Sequence, residues 1–167
     1  MPSRRDLASL TYVEVEALDK RDGLVVLPLG STEQHGPHLP LATDSQLASS
    51  LLDAAMALLP DAAGVWRLPT LPYGKSNEHS GFAGTLTLSH TTLAGVLHEI
   101  ARGVSDAGFA RLAFFSGHGG NTPTLDVVAR DVRATTGLLC FVIDPGIQFK
   151  SVTGIAERER DLGYHAG

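Results

Sequence analysis

Short, fully apolar runs that alternate with longer amphipathic segments constrain the fold of this chain more than any other feature. Two of these runs are Leu24–Leu29 and Leu138–Ile143, and their lack of polar alternation predicts strands buried on both faces. Between the runs, apolar residues recur at the spacing of a helix. Strands separated by helices predict an α/β fold of three layers, with a mostly parallel sheet flanked by helices on both faces.

The predicted elements can be placed along the chain. The predicted strands are Leu24–Leu29, Val65–Leu71, Thr85–Leu88, Arg111–Ser116 and Leu138–Ile143, and the predicted helices are Thr43–Leu59, Thr91–Ala107 and Thr124–Thr135. In the first helix, Thr43 is the expected N-cap residue. Its expected buried stripe consists of Leu47, Leu51, Leu52, Ala55 and Leu58. A length of 167 residues suits a single domain, 1–167.

Composition excludes several classes of protein. The net charge is −5 and the 13 basic residues are scattered, which argues against nucleic acid as the main partner. No apolar stretch approaches the roughly 20 residues that span a bilayer, so we expect no membrane association. Cys140 is the sole cysteine, which rules out an intrachain disulfide and fits a cytoplasmic location. We expect Cys140 to be a small core residue.

Ionisable side chains follow two of the predicted strands at the point where each strand ends. Glu33 and His35 are two residues apart, a spacing that points both side chains the same way in extended backbone. Asp44 opens the next helix, and His118 follows Arg111–Ser116. Ligands of parallel sheets bind beyond the carboxyl ends of the strands. Imidazole and carboxylate together suit a divalent metal, so Glu33, His35, Asp44 and His118 are candidate ligands.

Other interpretations of these residues remain open on spacing alone. Asp44 is also what the helix dipole favours at a helix N-terminus. The glycine-rich turn Gly117–Asn121 could bind phosphate between a strand and a helix, although Thr122 stands where a dinucleotide fingerprint has its third glycine. A third polar segment, 72–85, contains Glu78 and His79 and is either a surface loop or a loop that lines the site.

The collected motifs resemble those of the creatininase (creatinine amidohydrolase) family. They are GSTEQHGPHLP from Gly30 to Pro40, Thr43-Asp44, EHSGFAGT from Glu78 to Thr85, and GHGGN from Gly117 to Asn121. The likeness runs from about Leu10 to Gly167. It implies a creatininase-like three-layer fold and a centre of one or two divalent ions, zinc, manganese or iron. It also implies hydrolysis of a C–N bond in a small-molecule amide, cyclic amide or formamide, and assembly into homo-oligomers, which are hexamers in the family.

The resemblance also assigns roles to residues. Its metal ligands correspond to Glu33, His35, Asp44 and His118. His165, in a His-Ala-Gly stretch, matches a catalytic or substrate-facing histidine, and Glu78 and His79 join it as catalytic candidates. The predicted contacts to the substrate or its oxyanion are Gly119, Gly120, Asn121 and Ser76.

The sequence departs from the family pattern in two places. Creatininase has a metal-binding Glu two residues after the histidine that matches His118, whereas this chain has Gly120. Gly-Gly-Asn resembles instead the deformylase and peptidase branches, where a Glu-Thr-Ser stretch soon follows His-Ala-Gly. We therefore expect a partial family member, with an exposed strand edge that promotes association. A non-catalytic metal- or phosphate-binding module is the alternative function.

Overall fold

The computed structural model describes residues 5–60 and 62–146, and it contains a parallel sheet of four strands. The strands are β1 (Leu24–Leu29), β2 (Val65–Arg67), β3 (Arg111–Ser116) and β4 (Leu139–Ile143), in the order β2-β1-β3-β4. β1 pairs with β3 along its whole length, from Leu24 beside Arg111 to Leu29 beside Ser116. The predicted parallel α/β architecture is confirmed.

The described part of the chain contains four α-helices beside the sheet: α1 (Tyr12–Glu16), α2 (Thr43–Ala57), α3 (His90–Asp106) and α4 (Thr122–Thr136). Ser89 caps α3 by accepting a hydrogen bond from the Thr92 N–H group, and α4 ends at Gly137 in the left-handed conformation that glycine tolerates. Within the described ranges, no helix is both long enough and apolar enough to cross a membrane.

The two faces of the sheet pack against different helices because successive side chains of a strand point to opposite sides. Val26, Ala113 and Phe115 pack with Leu52 and Met56 of α2. The alternate residues of β1 and β3 form the larger core with α3 and α4, and this core includes Val25, Leu27, Leu112, Phe114, Leu93, Leu97, Leu125 and Val128. The result is the three-layer arrangement expected from the sequence.

The order of the strands places the topological switch point of the sheet between β1 and β3. β1 leads into α2 on one face of the sheet, and β3 leads into α4 on the other face. The two connections therefore diverge above neighbouring strands, which opens the ligand-binding position of a doubly wound sheet. Both predicted groups of ionisable residues follow these two strands.

The predictions for α2 need correction. Its N-cap residue is Ala42, whereas the hydroxyl of Thr43 donates to the Pro40 carbonyl at 2.6 Å. The buried stripe of the helix consists of Asp44, Ser45, Ala48, Leu52 and Met56. Leu47 and Leu58 are exposed. The first turns of the helix place the small side chains of Ser45 and Ala48 against the strand ends, where a Cβ atom on Gly30 or Gly117 would clash with the helix. The hydrophobic pattern alone does not reveal this close approach.

Three strand predictions also need correction. The strand predicted for Val65–Leu71 ends at Arg67, two residues before Pro69. The segment predicted as a strand at Thr85–Leu88 lies outside the four-stranded sheet, and Leu86 pairs with Thr32 in the loop after β1. β4 is buried on one face only, because its alternate residues Leu139, Phe141 and Ile143 are exposed.

Candidate metal centre

The segment after β1 presents alternate side chains to one side. Ser31, Glu33 and His35 are buried, whereas the intervening Thr32 and Gln34 are partly exposed. This is the period of two that extended backbone produces, and it confirms the reason for which Glu33 and His35 were paired. The segment lies tightly against α2, since a Cβ atom on Gly30 would meet the Ser45 backbone at 2.4 Å.

Asp44, in the first turn of α2, lies between two imidazoles. Its Oδ1 is 2.9 Å from Nε2 of His35, and its Oδ2 is 2.9 Å from Nδ1 of His118. The Ser31 hydroxyl donates to Oδ2 at 2.7 Å. Burial by itself raises the pKa of Asp44, but the hydrogen bonds from His118 and Ser31 and the charges of both histidines outweigh it and hold the pKa below its usual value.

His118 follows β3 and is almost fully buried. Its Nε2 lies 3.0 Å from the carbonyl oxygen of Lys75, which can only accept, so Nε2 carries a proton. Its Nδ1 faces Asp44 and lies 3.3 Å from Oε1 of Glu33. Burial lowers the pKa of His118, but the hydrogen bond with Asp44, the charge of Glu33 and the Lys75 carbonyl outweigh burial and raise the pKa above its usual value.

The polar segment 72–85 contributes directly to this centre. His79 is buried in a short 3-10 turn, and its Nε2 lies 3.7 Å from Oε1 of Glu33. Glu78 Oε1 lies 3.8 Å from Nε2 of His118, and the buried hydroxyl of Ser76 lies 3.5 Å from the same nitrogen. These positions favour the interpretation of this segment as a loop that lines the site.

Asn121 joins the three loops around the centre. Its side-chain amide donates to the Gly30 carbonyl at 3.0 Å and accepts from the Lys75 N–H group at 2.9 Å. The side chain is fully buried, so its observed role is to hold the loops together. The predicted substrate contacts of Gly119, Gly120, Asn121 and Ser76 stay predictions, and His165 lies outside the described residues.

Three contacts of the centre were not predicted from the sequence. Ser31 donates to Asp44, Lys75 offers its carbonyl to His118, and Gln34 contacts His79. The alternation Ser31-Glu33-His35 contains a signal for Ser31. A backbone carbonyl carries no signal in the sequence, so the contribution of Lys75 depends on the tertiary fold.

The donor set fits a divalent cation. Ligand atoms of Glu33, His35 and Asp44 all lie within 4.8 Å of one another, and all three residues are buried. One ring nitrogen of each histidine contacts a backbone carbonyl. Nδ1 of His35 lies 3.2 Å from the Glu33 carbonyl oxygen, and Nε2 of His118 contacts the Lys75 carbonyl oxygen. The other nitrogen of each ring then faces the carboxylates, and this is how proteins orient metal-binding histidines.

A family model described as Creatininase, creatinine amidohydrolase, matches residues 8–167. The chain belongs to the creatininase family. Among curated relatives, the mycofactocin precursor peptide peptidase of Mycobacterium tuberculosis (strain H37Rv) is 44% identical over 117 residues, which are 66% of this chain and 46% of that protein. The creatinine amidohydrolase of Pseudomonas putida is 32% identical over 137 residues, 76% of this chain and 51% of that protein.

Solved structures of the creatininase family share the fold. A manganese form of creatininase superposes with a TM-score of 0.73 at 25% identity, covering 95% of this chain and 63% of the other. A creatininase mutant of Zn-Zn type gives 0.72 at 26% identity, covering 90% and 61%. The chain spans about half the length of the two curated relatives compared above.

Proposed function

We propose that this protein is a metal-dependent hydrolase of a C–N bond in an amide, cyclic amide or formamide. The observation that carries the proposal is the convergence of four buried ionisable side chains from the carboxyl ends of β1 and β3. Burying such groups costs free energy unless they pair with one another or bind a ligand. Membership of a family whose members are named hydrolases and peptidases supports the same class of reaction.

Glu33, His35, Asp44 and His118 are the residues that would hold the metal. The two oxygens of Asp44 face different imidazoles, so this carboxylate could help to hold one ion or two. Zinc, manganese and iron all accept this combination of nitrogen and oxygen ligands. A divalent ion bound here would polarise the amide carbonyl and make a water molecule acidic enough to ionise near neutral pH.

The remaining residues either orient the metal ligands or act on the substrate and its protons. Ser31 and the Lys75 carbonyl hold Asp44 and His118 in fixed orientations, and this reduces the reorganisation needed for catalysis. Backbone N–H groups of Gly119 and Gly120 are proposed to hold the carbonyl oxygen of the substrate. Glu78 and His79 line the site, and His165 is proposed from the family motif to transfer a proton to the leaving nitrogen.

The surroundings of Gly120 bear on the class of substrate. A Cβ atom there would meet His118 Nε2 at 2.4 Å, Glu78 Oε1 at 2.5 Å and the Lys75 carbonyl at 2.6 Å. The metal-binding Glu that the resemblance gives to creatininase therefore has no room at this position. Together with the 44% identity to a mycofactocin precursor peptide peptidase, this supports a peptide amide as the first substrate to test and argues against creatinine.

The alternative of a phosphate-binding turn is disfavoured by the contacts of Gly117–Asn121. The Gly117 N–H group donates to Leu29 O, the His118 N–H group to the Ser116 hydroxyl, and the Asn121 N–H group to His118 O. The neighbouring carboxylates of Glu33 and Asp44 would also repel an anion. A non-catalytic metal-binding module stays the second candidate, and metal content without turnover of any amide would favour it.

Elemental analysis of purified protein tests the proposal. We expect about one or two equivalents of zinc, manganese or iron in the unaltered protein and near zero after Asp44→Ala, because that change removes a ligand that both histidines face. Asp126→Ala, an exposed carboxylate on α4, is the matched control and should keep its metal. A metal content near zero in the unaltered protein would contradict the proposal. Homo-oligomer assembly and a cytoplasmic location stay predictions.

A further inference from the structure

Gln34 lies between two candidate ligands in sequence, yet its side chain points to the opposite loop. Its Nε2 is 2.9 Å from Nδ1 of His79, and its Oε1 accepts the Gly36 N–H group at 2.9 Å. The other ring nitrogen of His79, Nε2, lies 3.7 Å from Oε1 of Glu33. Gln34 is thus connected to the metal centre through the imidazole of His79.

The chemistry of these groups fixes the proton positions. A backbone N–H group can only donate, so the Gln34 atom that meets Gly36 must be the oxygen. The other end of the same amide is then the NH2 group, which also can only donate. The Nδ1 atom of His79 must therefore accept, and a neutral imidazole that accepts at Nδ1 carries its proton at Nε2.

We propose that Gln34 is a positioning residue that holds His79 in the Nε2–H tautomer, with this N–H group directed toward the Glu33 side of the metal centre. His79 is buried, and its ring makes an edge-on contact with Phe82 at a centroid distance of 6.4 Å. The amide and the aromatic ring together set both the orientation of the imidazole and the nitrogen that donates.

The consequence for catalysis rests on the proposed hydrolase function. A histidine fixed in this tautomer offers a hydrogen-bond donor to the site, so it suits an acceptor on the substrate such as the amide carbonyl oxygen. It does not offer a basic nitrogen there. This assigns His79 the role of a donor to the substrate and leaves removal of protons to other groups.

Nitrogen-15 NMR of the histidine side chains tests the tautomer without any substrate. At pH 8 in metal-free protein, we expect the His79 Nδ1 signal in the unprotonated range and Nε2 in the protonated range, with His79→Gln identifying the signals by their loss. In Gln34→Glu the carboxylate accepts at both ends, so it keeps the Gly36 contact but requires a proton on Nδ1. A protonated Nδ1 in the unaltered protein, or an unchanged Nδ1 in Gln34→Glu, overturns the proposal.

Kinetics of the metal-loaded protein separate positioning from packing. Glu has the same shape as Gln and would serve a purely structural role equally well. We expect Gln34→Glu to retain its metal and its KM for a peptide amide while kcat falls about 10- to 100-fold, the usual cost of changing a residue that orients a functional histidine. An unchanged kcat with a changed tautomer would overturn the catalytic role. If no amide is hydrolysed by the unaltered protein, the proposed function fails and the NMR result still decides the tautomer.

Discussion

The carboxyl ends of β1 and β3 differ from the outer strand β4 in the kind of side chain that they bury. Each region departs from the usual pattern, in which apolar side chains are buried and charged side chains are exposed. At the strand ends, ionisable Glu33 and His118 are 0% and 2% exposed. On β4, apolar Leu139, Phe141 and Ile143 are 53%, 47% and 41% exposed. The strand ends therefore bury ionisable groups that are more stable in water, and β4 exposes apolar groups that are more stable in the core.

The position of α2 explains this difference. The helix packs on β1 and β3, and it carries Asp44 in its first turn. The register places Phe141 beside Ala113 and Ile143 beside Phe115, so these side chains lie on the face that α2 covers over β1 and β3. Among the described residues, this cover stops short of β4. Within the described residues, α2 therefore covers the sheet beside the candidate centre and leaves this face of the outer strand uncovered.

Shortening a buried side chain in the middle of α2 should have the largest effect on stability. Leu52 is 5% exposed and packs between α2 and the sheet, whereas Leu47 is 38% exposed. We expect Leu52→Ala to lower the free energy of unfolding by about 3 kcal/mol, because it leaves a cavity in the core. Urea denaturation measures the change. Leu47→Ala is the matched control, with an expected cost below about 1 kcal/mol. Equal costs for the two variants would instead support the buried stripe predicted from the sequence, which contains both residues.

Asn121 tests how far the centre depends on its connecting hydrogen bonds. In Asn121→Asp the side chain keeps its shape but cannot donate to the Gly30 carbonyl, and it adds a buried negative charge between the loops that carry the candidate ligands. We expect the free energy of unfolding to fall by about 2 kcal/mol and metal binding to weaken. Calorimetry measures both quantities. Asn77→Asp, at an exposed position in the neighbouring loop, should change neither, and a stable, metal-binding Asn121→Asp would refute this role.

Part of this fold and of the candidate centre could be predicted from the sequence, and part could not. The strands β1 and β3 were predicted at their observed bounds because apolar runs carry that information locally. The convergence of Glu33, His35, Asp44 and His118 followed from the period of the backbone and the shared end of a parallel sheet. The buried face of α2 was predicted only in part, since Leu52 is buried as predicted but Leu47 and Leu58 are exposed. The exposed face of β4 was not predicted, because burial there depends on which elements pack together. The contact from Lys75 depends on a backbone carbonyl, which no residue type signals.

The pKa shifts of Asp44 and His118 predict how metal affinity depends on pH. The pKa of His118 is raised above 6.5, so its proton stabilises the metal-free fold below that pH and the contribution is lost as pH rises through the raised pKa. The pKa of Asp44 is lowered below 3.8, so its contribution is present above that pH and is lost only as pH falls through the lowered pKa. In the metal-free protein, His118 and Asp44 therefore both contribute fully to stability between pH 3.8 and pH 6.5.

A metal must displace the His118 proton, so its affinity should fall as pH drops below the raised pKa of this residue. For one displaced proton the fall is about tenfold per pH unit, or about 1.4 kcal/mol. Zinc titration calorimetry across a pH series measures this slope. His98→Gln, which alters a partly exposed histidine on α3, should leave the slope unchanged. A zinc affinity independent of pH below 6.5 would place the displaced proton elsewhere.

The smallest expected change in stability belongs to the exposed face of β4, although its effect on association should be clear. Phe141→Thr removes a half-exposed ring from a position where Thr suits a strand, so we expect the free energy of unfolding to change by about 0.5–1 kcal/mol. Self-association, which we expect for a chain with this apolar face, should decrease in light scattering. Leu58→Thr removes an exposed apolar side chain at the end of α2 and should leave association unchanged. If the unaltered protein is a monodisperse monomer, the exposed face of β4 does not drive association, and the contrast with the buried centre is one of packing alone.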